Sequence, residues 1–179
     1  MKSLKSTIVL FTLFVFFTSS CFSDIDLNQI DDLHMSAPVS VSMFYLDLEQ
    51  SDFIDQFGNE KIEISDESEI HMEEFLSQNL NNQVIFKIIV SNLIHRDYLL
   101  KFEFYDVAEE LLMSTDEIEI NSEEVNIETQ ILFNNDRFDK LLVTNKVRVS
   151  ITMLEGTPLR PFLDRHLIMS SSINFDYEY

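Results

Sequence analysis

The side chains able to do chemistry in this chain are few, and their spacing assembles no familiar catalytic set. Four histidines occur, His34, His71, His95 and His166. None falls in an H-x-x-H or H-E-x-x-H pair, the spacing that turns two imidazoles toward one zinc ion from a helix face. His71 falls in an acidic stretch, where it reads as a surface histidine. His166 stands two residues from Asp164 across Arg165, which supplies two parts of a relay and no nucleophile. There is no G-x-S-x-G elbow, and two glycines in the whole chain rule out a glycine-rich phosphate cradle. Paired carboxylates identify nothing here. With 32 Asp and Glu, some pair falls at any chosen separation by composition alone, a glycosidase spacing included. Cys21 is the only cysteine, so an intrachain disulfide and a cysteine-based zinc site are excluded. These residues point to a protein that is not an enzyme and needs no cofactor or metal. One segment suggests binding instead. Thr157-Pro158-Leu159-Arg160-Pro161-Phe162 sets apolar and basic side chains in an acidic chain, and Arg160 and Phe162 are its candidate contacts. Tyr45 and Tyr105 are candidates for stacking on sugars, although tryptophan, the usual residue for that task, is absent.

Charge narrows the partners. Against the 32 acidic residues stand 12 Lys and Arg, a formal net charge of -20. That field repels a phosphate backbone, so nucleic acid is excluded as a general partner.

The N-terminus has its own chemistry. Lys2 and Lys5 precede the apolar run Ile8–Phe17, which is shorter than the ~17–25 residues of a spanning helix. Small polar residues follow, then Cys21. Positive charge, short apolar run, small residues and a cleavage point are in the order of a secretory signal peptide over residues 1–20. Thr18-Ser19-Ser20-Cys21 resembles the box cut by lipoprotein signal peptidase, with Thr18 where Leu or Val is usual. The resemblance implies that Cys21 takes a diacylglyceryl group and becomes the first residue, tying the chain to a membrane. Each buried acyl CH₂ contributes ~0.8 kcal/mol, so two or more chains anchor stably. Asp24, Asp26, Asp31 and Asp32 follow closely. They lack the turn glycine and frame of an EF-hand calcium loop, and resemble the acidic surface-export stretch of Bacteroidota lipoproteins.

The elements that would position these residues are mostly strands. Residues 21–37 read as a tether, and residues 38–179 as one domain long enough to bury a core without staples. Val39, Val41 and Met43 alternate, and then Phe44, Leu46 and Leu48 take over. That change of parity predicts a bulge, or a strand buried on both faces. Residues 49–60 suit a turn, and Lys61 to Ser65 a short strand with Ile62 and Ile64 inward. Ile70, Phe75, Leu76 and Leu80 lie near helical spacing, so a short helix is expected over 67–80, with Ser68 as its cap. Val84, Phe86, Ile88 and Val90 form one row, and Tyr98, Leu100, Phe102 and Phe104 the next. With a turn at Asn92 to Arg96 between them, the pair reads as a long hairpin. One or two short strands are expected within 110–120, and another row in Val125, Ile127, Thr129, Ile131 and Phe133. Residues 134–140 suit a turn with one helical turn. Val147 to Met153 and Leu167 to Tyr177 complete the set, separated by the long loop 156–164. Seven or eight strands with polar outer faces need a second layer. The expected fold is all-β: two packed antiparallel sheets with immunoglobulin-like architecture, without the Cys and Trp of antibody domains. An up-and-down barrel is the alternative.

The lipoprotein box, the Asp-Ile-Asp-Leu-Asn-Gln-Ile-Asp-Asp start, Asn92 between two long strands and the closing Phe175-Asp176-Tyr177 together resemble small lipoproteins of flavobacteria and other Bacteroidota. The resemblance implies an envelope location, outer membrane or cell surface, and a β-sandwich. It implies no activity and no site residue beyond Cys21. The expected role is an interaction module or accessory subunit of an envelope assembly, with membrane contact through Cys21 and other envelope proteins as partners. The alternatives are a surface module binding glycan or another ligand and, behind it, a small hydrolase.

Overall fold

The computed structural model describes residues 36–72, 83–134, 136–160 and 162–178. Among them nine strands and one α-helix follow in order. They are β1 Ser36–Glu49, β2 Glu63–Glu69, β3 Gln83–Asn92, β4 Tyr98–Tyr105, β5 Leu111–Ser114, β6 Ile118–Ile120, β7 Ile127–Asn134, α1 Asp136–Leu142, β8 Lys146–Met153 and β9 His166–Glu178. A 3₁₀ turn, Gln50–Phe53, follows β1. All pairings are antiparallel. One sheet has the order β1-β9-β3-β7 and the other β2-β8-β4-β5, with β6 beside β4. The expected two-sheet all-β sandwich is what the chain forms.

The pairing is nested. First pairs with last, β1 to β9; then β2 to β8, β3 to β7, and β4 to β5 and β6. The chain is thus one long ribbon, doubled back near β5 and wound so that its successive turns fall in alternate sheets. This is the winding of a jelly roll, with β5 and β6 sharing one strand position. The immunoglobulin label therefore covers the layering and not the connections. Where β5 gives way to β6, Thr115 maintains the ladder: its Oγ1 accepts the Phe102 N–H at 3.0 Å and its own N–H donates to Phe102 O at 2.9 Å.

The core lies between the sheets and is aromatic at its centre. Phe86 meets Phe102 edge-on at 4.8 Å and stacks on Phe133 at 5.9 Å, and Phe104 meets Phe133 edge-on at 5.5 Å. Such pairs each contribute ~0.5–1.5 kcal/mol beyond the area they bury. The change of parity in β1 is a bulge: the register with β9 shifts between Ser42 and Phe44, so Val39, Val41, Phe44, Leu46 and Leu48 all turn inward. The bulge and Pro38 also blunt a free sheet edge, as the carboxylates of β2 do on the other sheet.

Four expectations are corrected. The rows of β3 and β4 are apolar as expected, but the strands lie in different sheets and do not pair. In a hairpin both rows would share one face; across the sandwich they face each other and close the core. The connection is shaped by Asn92, fully buried, whose amide donates to Arg96 O at 2.8 Å and Asn121 O at 3.0 Å and accepts the Ile94 N–H at 3.0 Å. The helix expected from residue 67 begins as strand, because Glu67, Ser68 and Glu69 pair with Arg148, Val147 and Lys146. There Glu67 gains ion pairs to Arg148 and Lys146 that reward extension. Residues 73–80 of that expectation lie outside the described residues. Met72 is helical, and a further helix stands at Asp136–Leu142, where one helical turn is expected, burying Phe138 and Leu141. Ile62 and Val125, expected inward, are exposed, since each lies just outside its strand. Finally, β1 runs over Ser36–Glu49, beyond both ends of the Val39 to Leu48 rows. The signal segment, Cys21, the acidic run and His34 lie outside the described residues.

Candidate functional site

One end of the sandwich gathers the residues that the sequence singles out for binding. β1 ends there at Glu49 opposite His166, and β3 ends at Asn92 opposite Leu167. β4 begins there at Tyr98 opposite Met153, the last residue of β8. Residues 50–62, 93–97, 121–126 and 154–165 therefore form a common rim. Beneath it lies Arg96. Its side chain is 3% exposed, and Nη2 donates to both oxygens of Glu60, at 2.9 and 2.8 Å. Gly156 passes directly over the guanidinium. A Cβ there would stand 2.7 Å from Nη1, so close approach is what requires glycine.

The described residues of the loop, 154–160 and 162–165, are fastened at four points. Leu154 N–H donates to Asp97 O at 2.9 Å, and Leu159 N–H to Glu60 Oε1 at 2.6 Å. Buried Gln50 donates from Nε2 to Arg160 O and from its backbone N–H to Arg165 O at 2.8 Å. On this fixed frame Arg160 is exposed and the Phe162 ring is 95% exposed. Arg160 and Phe162 thus both lie exposed at this rim. Beside them is a depression of about 400 Å³ lined by His95, Pro158, Leu159, Arg160, Leu163 and Arg165, with Thr157 and Gln50.

At the edge of the rim, His166 sits between two carboxylates. Nδ1 is 2.6 Å from Asp47 Oδ1 and Nε2 is 2.9 Å from Asp164 Oδ1. The Asp47 and then the Asp164 hydrogen bonds raise the imidazole pKa above its ordinary value. A neutral imidazole has one N–H, so only the imidazolium donates to both. The Asp164–His166 proximity seen in the sequence is therefore real, but the third partner is Asp47 and no nucleophile joins it. His95 pairs with Glu123 at 2.8 Å, and His71 is exposed. No three of His, Cys, Asp and Glu converge as a metal set among the described residues.

The tyrosines part company. Tyr45 is exposed on the outer face of the β1 sheet. Tyr105 lies on the outer face of the other sheet with Lys146 Nζ and Arg148 Cζ over its ring, 5.5 and 5.0 Å from the centroid. Its hydroxyl donates to Glu103 at 2.8 Å and accepts from Arg148 at 3.1 Å. The Lys101 ammonium, and next the Tyr105 hydroxyl, hold the Glu103 carboxyl below its ordinary range. Donors, acceptors and ring at Tyr105 are thus already engaged with one another. Of the groups that shape the rim, sequence reasoning missed Gln50, Glu60 and Arg96. Nothing local marks them, because a glutamine, a glutamate and an arginine in turn regions read as solvated.

No family model matches the chain, and no curated protein is similar to it in sequence. Solved structures of low similarity align with it. The VP2 subviral particle of infectious bursal disease virus gives a TM-score of 0.44 at 6% identity, over 79% of this chain and 32% of that one. A "putative secreted protein" from Parabacteroides distasonis gives 0.44 at 10%, over 65% and 38%. The CBM22-1–GH10 modules of endo-1,4-β-D-xylanase 10B from Clostridium thermocellum, complexed with xylohexaose, give 0.35 at 10%, over 79% and 28%. The chain spans about a third of the length of each. No activity, ligand or assembly carries over from them.

Proposed function

We propose that the chain is a lipid-anchored protein of a Bacteroidota envelope whose β-sandwich is a binding module and not an enzyme. It engages a partner protein through the rim at Arg160 and Phe162. The carrying observation is Phe162. A phenyl ring left 95% exposed costs apolar surface in water. Here its loop is held by Glu60 and Gln50 at Leu159 and Arg160 and by Gln50 at Arg165. A large aromatic on a fixed frame beside an arginine is the composition of an interface anchor.

The proposed anchor supports the same reading. Cys21 precedes Ser36, and Ser36 begins a 14-residue strand that ends at the rim. At ~3.3 Å per residue, the point where the chain joins the domain is about 43 Å from the binding end. Ser36 and the rim thus stand at opposite ends of β1. A glycan partner is the second reading, favoured by the outward Tyr45 ring.

Two measurements test the proposal. Radioactive palmitate should label the wild type and leave Cys21→Ala unlabelled; equal label refutes the anchor. Crosslinking in native membranes, with recovery through a C-terminal tag, should yield a protein partner. Recovery should fall about tenfold or more in Arg160→Ala/Phe162→Ala, the scale of losing a hot spot. Unchanged recovery refutes the rim. A reproducible glycan-array signal lost in Tyr45→Ala would favour the second reading.

A further inference from the structure

The depression beside Phe162 is lined by two arginines and a histidine and by no carboxylate, in a chain whose acids outnumber its bases 32 to 12. Among the described residues neither Arg160 nor Arg165 forms an ion pair. Four carboxylates about the rim hold other cations: Glu60 holds Arg96, Glu123 holds His95, and Asp164 and Asp47 hold His166. Arg165 makes only a long contact, Nη1 to Leu93 O at 3.4 Å. Two guanidinium forks therefore stand open beside Pro158, Leu159 and Leu163, with the exposed Phe162 ring in the same loop. A guanidinium matches a carboxylate in shape and charge and binds it with paired, charge-assisted hydrogen bonds. The volume of about 400 Å³ suits a small terminal group.

From this geometry we infer that the depression receives the C-terminal carboxylate of a partner polypeptide that ends in a bulky apolar residue. Arg160 and Arg165 hold the carboxylate, and Pro158, Leu159, Leu163 and the Phe162 ring cover the apolar side chain. The net charge of -20 favours such a discrete group over an anionic bilayer, which would repel the domain as a whole. The inference rests on the reading of the rim as the binding end, and adds to it the chemistry of the group bound.

The test uses the full chain in detergent and two fluorescent peptide pools. One pool holds peptides ending in Leu, Ile, Val or Phe as free acids, and the other holds the same sequences as C-terminal amides. The free acids should give a saturable rise in anisotropy, and the amides should bind about tenfold or more weakly, as loss of a charge-assisted contact implies. Arg160→Met and Arg165→Met should each weaken the acid pool to a similar degree with circular dichroism unchanged. Arg137→Met, on exposed α1, should have no effect. Equal binding of acids and amides overturns the inference, and so does binding of neither pool. Binding to phosphatidylglycerol vesicles that is lost in Arg160→Met, with no binding of peptide, overturns it in favour of a lipid. If crosslinked partner recovery still depends on Phe162 in any of these cases, the binding rim stands and only the carboxylate chemistry fails. If recovery is indifferent to Phe162, the rim itself fails.

Discussion

Glu60→Gln should destabilise the domain by about 3 kcal/mol, more than Arg96→Met does, although both break the same ion pair. The two ends of the pair are differently placed: the Arg96 side chain is 3% exposed and that of Glu60 is 31% exposed. Removing one partner of a fully buried pair costs ~3–5 kcal/mol because it leaves an uncompensated charge, whereas an exposed pair contributes ~0–1 kcal/mol. Glu60→Gln strands a buried guanidinium whose Nε already lacks a partner. It also keeps an acceptor for the Leu159 N–H, so the change isolates the charge. The exposed share of the pair brings the figure to the lower part of the range. Arg96→Met keeps the aliphatic stem and leaves a carboxylate that water reaches, for a cost of about 1 kcal/mol. In a domain of this length about 3 kcal/mol lowers Tm by roughly 6–12 °C. Urea denaturation of the purified single variants and of the double variant reads all three values. The double variant should recover most of the Glu60→Gln loss. A Glu60→Gln cost no greater than that of Arg96→Met would show that burial of the guanidinium does not control this rim.

Phe86→Ala, at the centre of the aromatic cluster, should cost about 3–5 kcal/mol by chemical denaturation, while Phe162→Ala should stay within about 0.5 kcal/mol of wild type. Thr115→Val keeps the side-chain shape but strands the buried Phe102 N–H, so a loss of about 1–3 kcal/mol is expected, and a neutral result would mean water supplies the acceptor. The stability that His166 contributes should depend on pH. Asp47 and Asp164 face its ring, Glu49 is its partner across the ladder, and Arg165 is its neighbour with the guanidinium turned to Leu93. The folded pKa is raised, so the contribution is complete below the unfolded value of 6.5 and is lost as pH rises through the higher folded value. Urea midpoints of wild type and His166→Gln should therefore differ most below pH 6.5 and converge as pH rises; a difference that grows with pH would reverse the sign and refute the imidazolium.

The faces of the strands were legible because their period is local. Val84 to Val90, Tyr98 to Phe104 and Val147 to Met153 each alternate, and all three rows are buried. The bulge in β1 was legible for the same reason, since one extra residue must reverse the parity of everything after it. Partner choice was not. A hairpin between β3 and β4 and a crossing between sheets place the same apolar rows inward, and the five residues from Asn92 to Arg96 suit either. What decides between them is Asn92. Its amide bonds to Arg96 O and Asn121 O, and the second of these comes from a segment 29 residues away. At the rim, Arg160 and Phe162 were visible as basic and apolar residues in an acidic chain. Their supports were not, because Gln50 and Glu60 act across 110 and 99 residues of sequence.

The same nesting explains why this end is stiff enough to display an aromatic ring. In a ribbon that pairs first strand with last, the loop before β9 emerges next to the turn after β1, since Glu49 lies opposite His166. Two segments far apart in sequence thus become neighbours, and each supplies what the other lacks. Residues 154–165 expose backbone carbonyls and N–H groups that no ladder satisfies. Gln50 donates to two of those carbonyls, one from its side chain and one from its backbone, and Glu60 accepts the Leu159 N–H. Glu60 is in turn held by Arg96, which enters from the β3–β4 crossing, and Arg96 fits only because residue 156 is glycine. Three crossings between the sheets therefore meet in one polar cluster under the loop. The cluster thus holds Leu159 and Arg160 on one side of Phe162 and Arg165 on the other, and the ring between them faces outward.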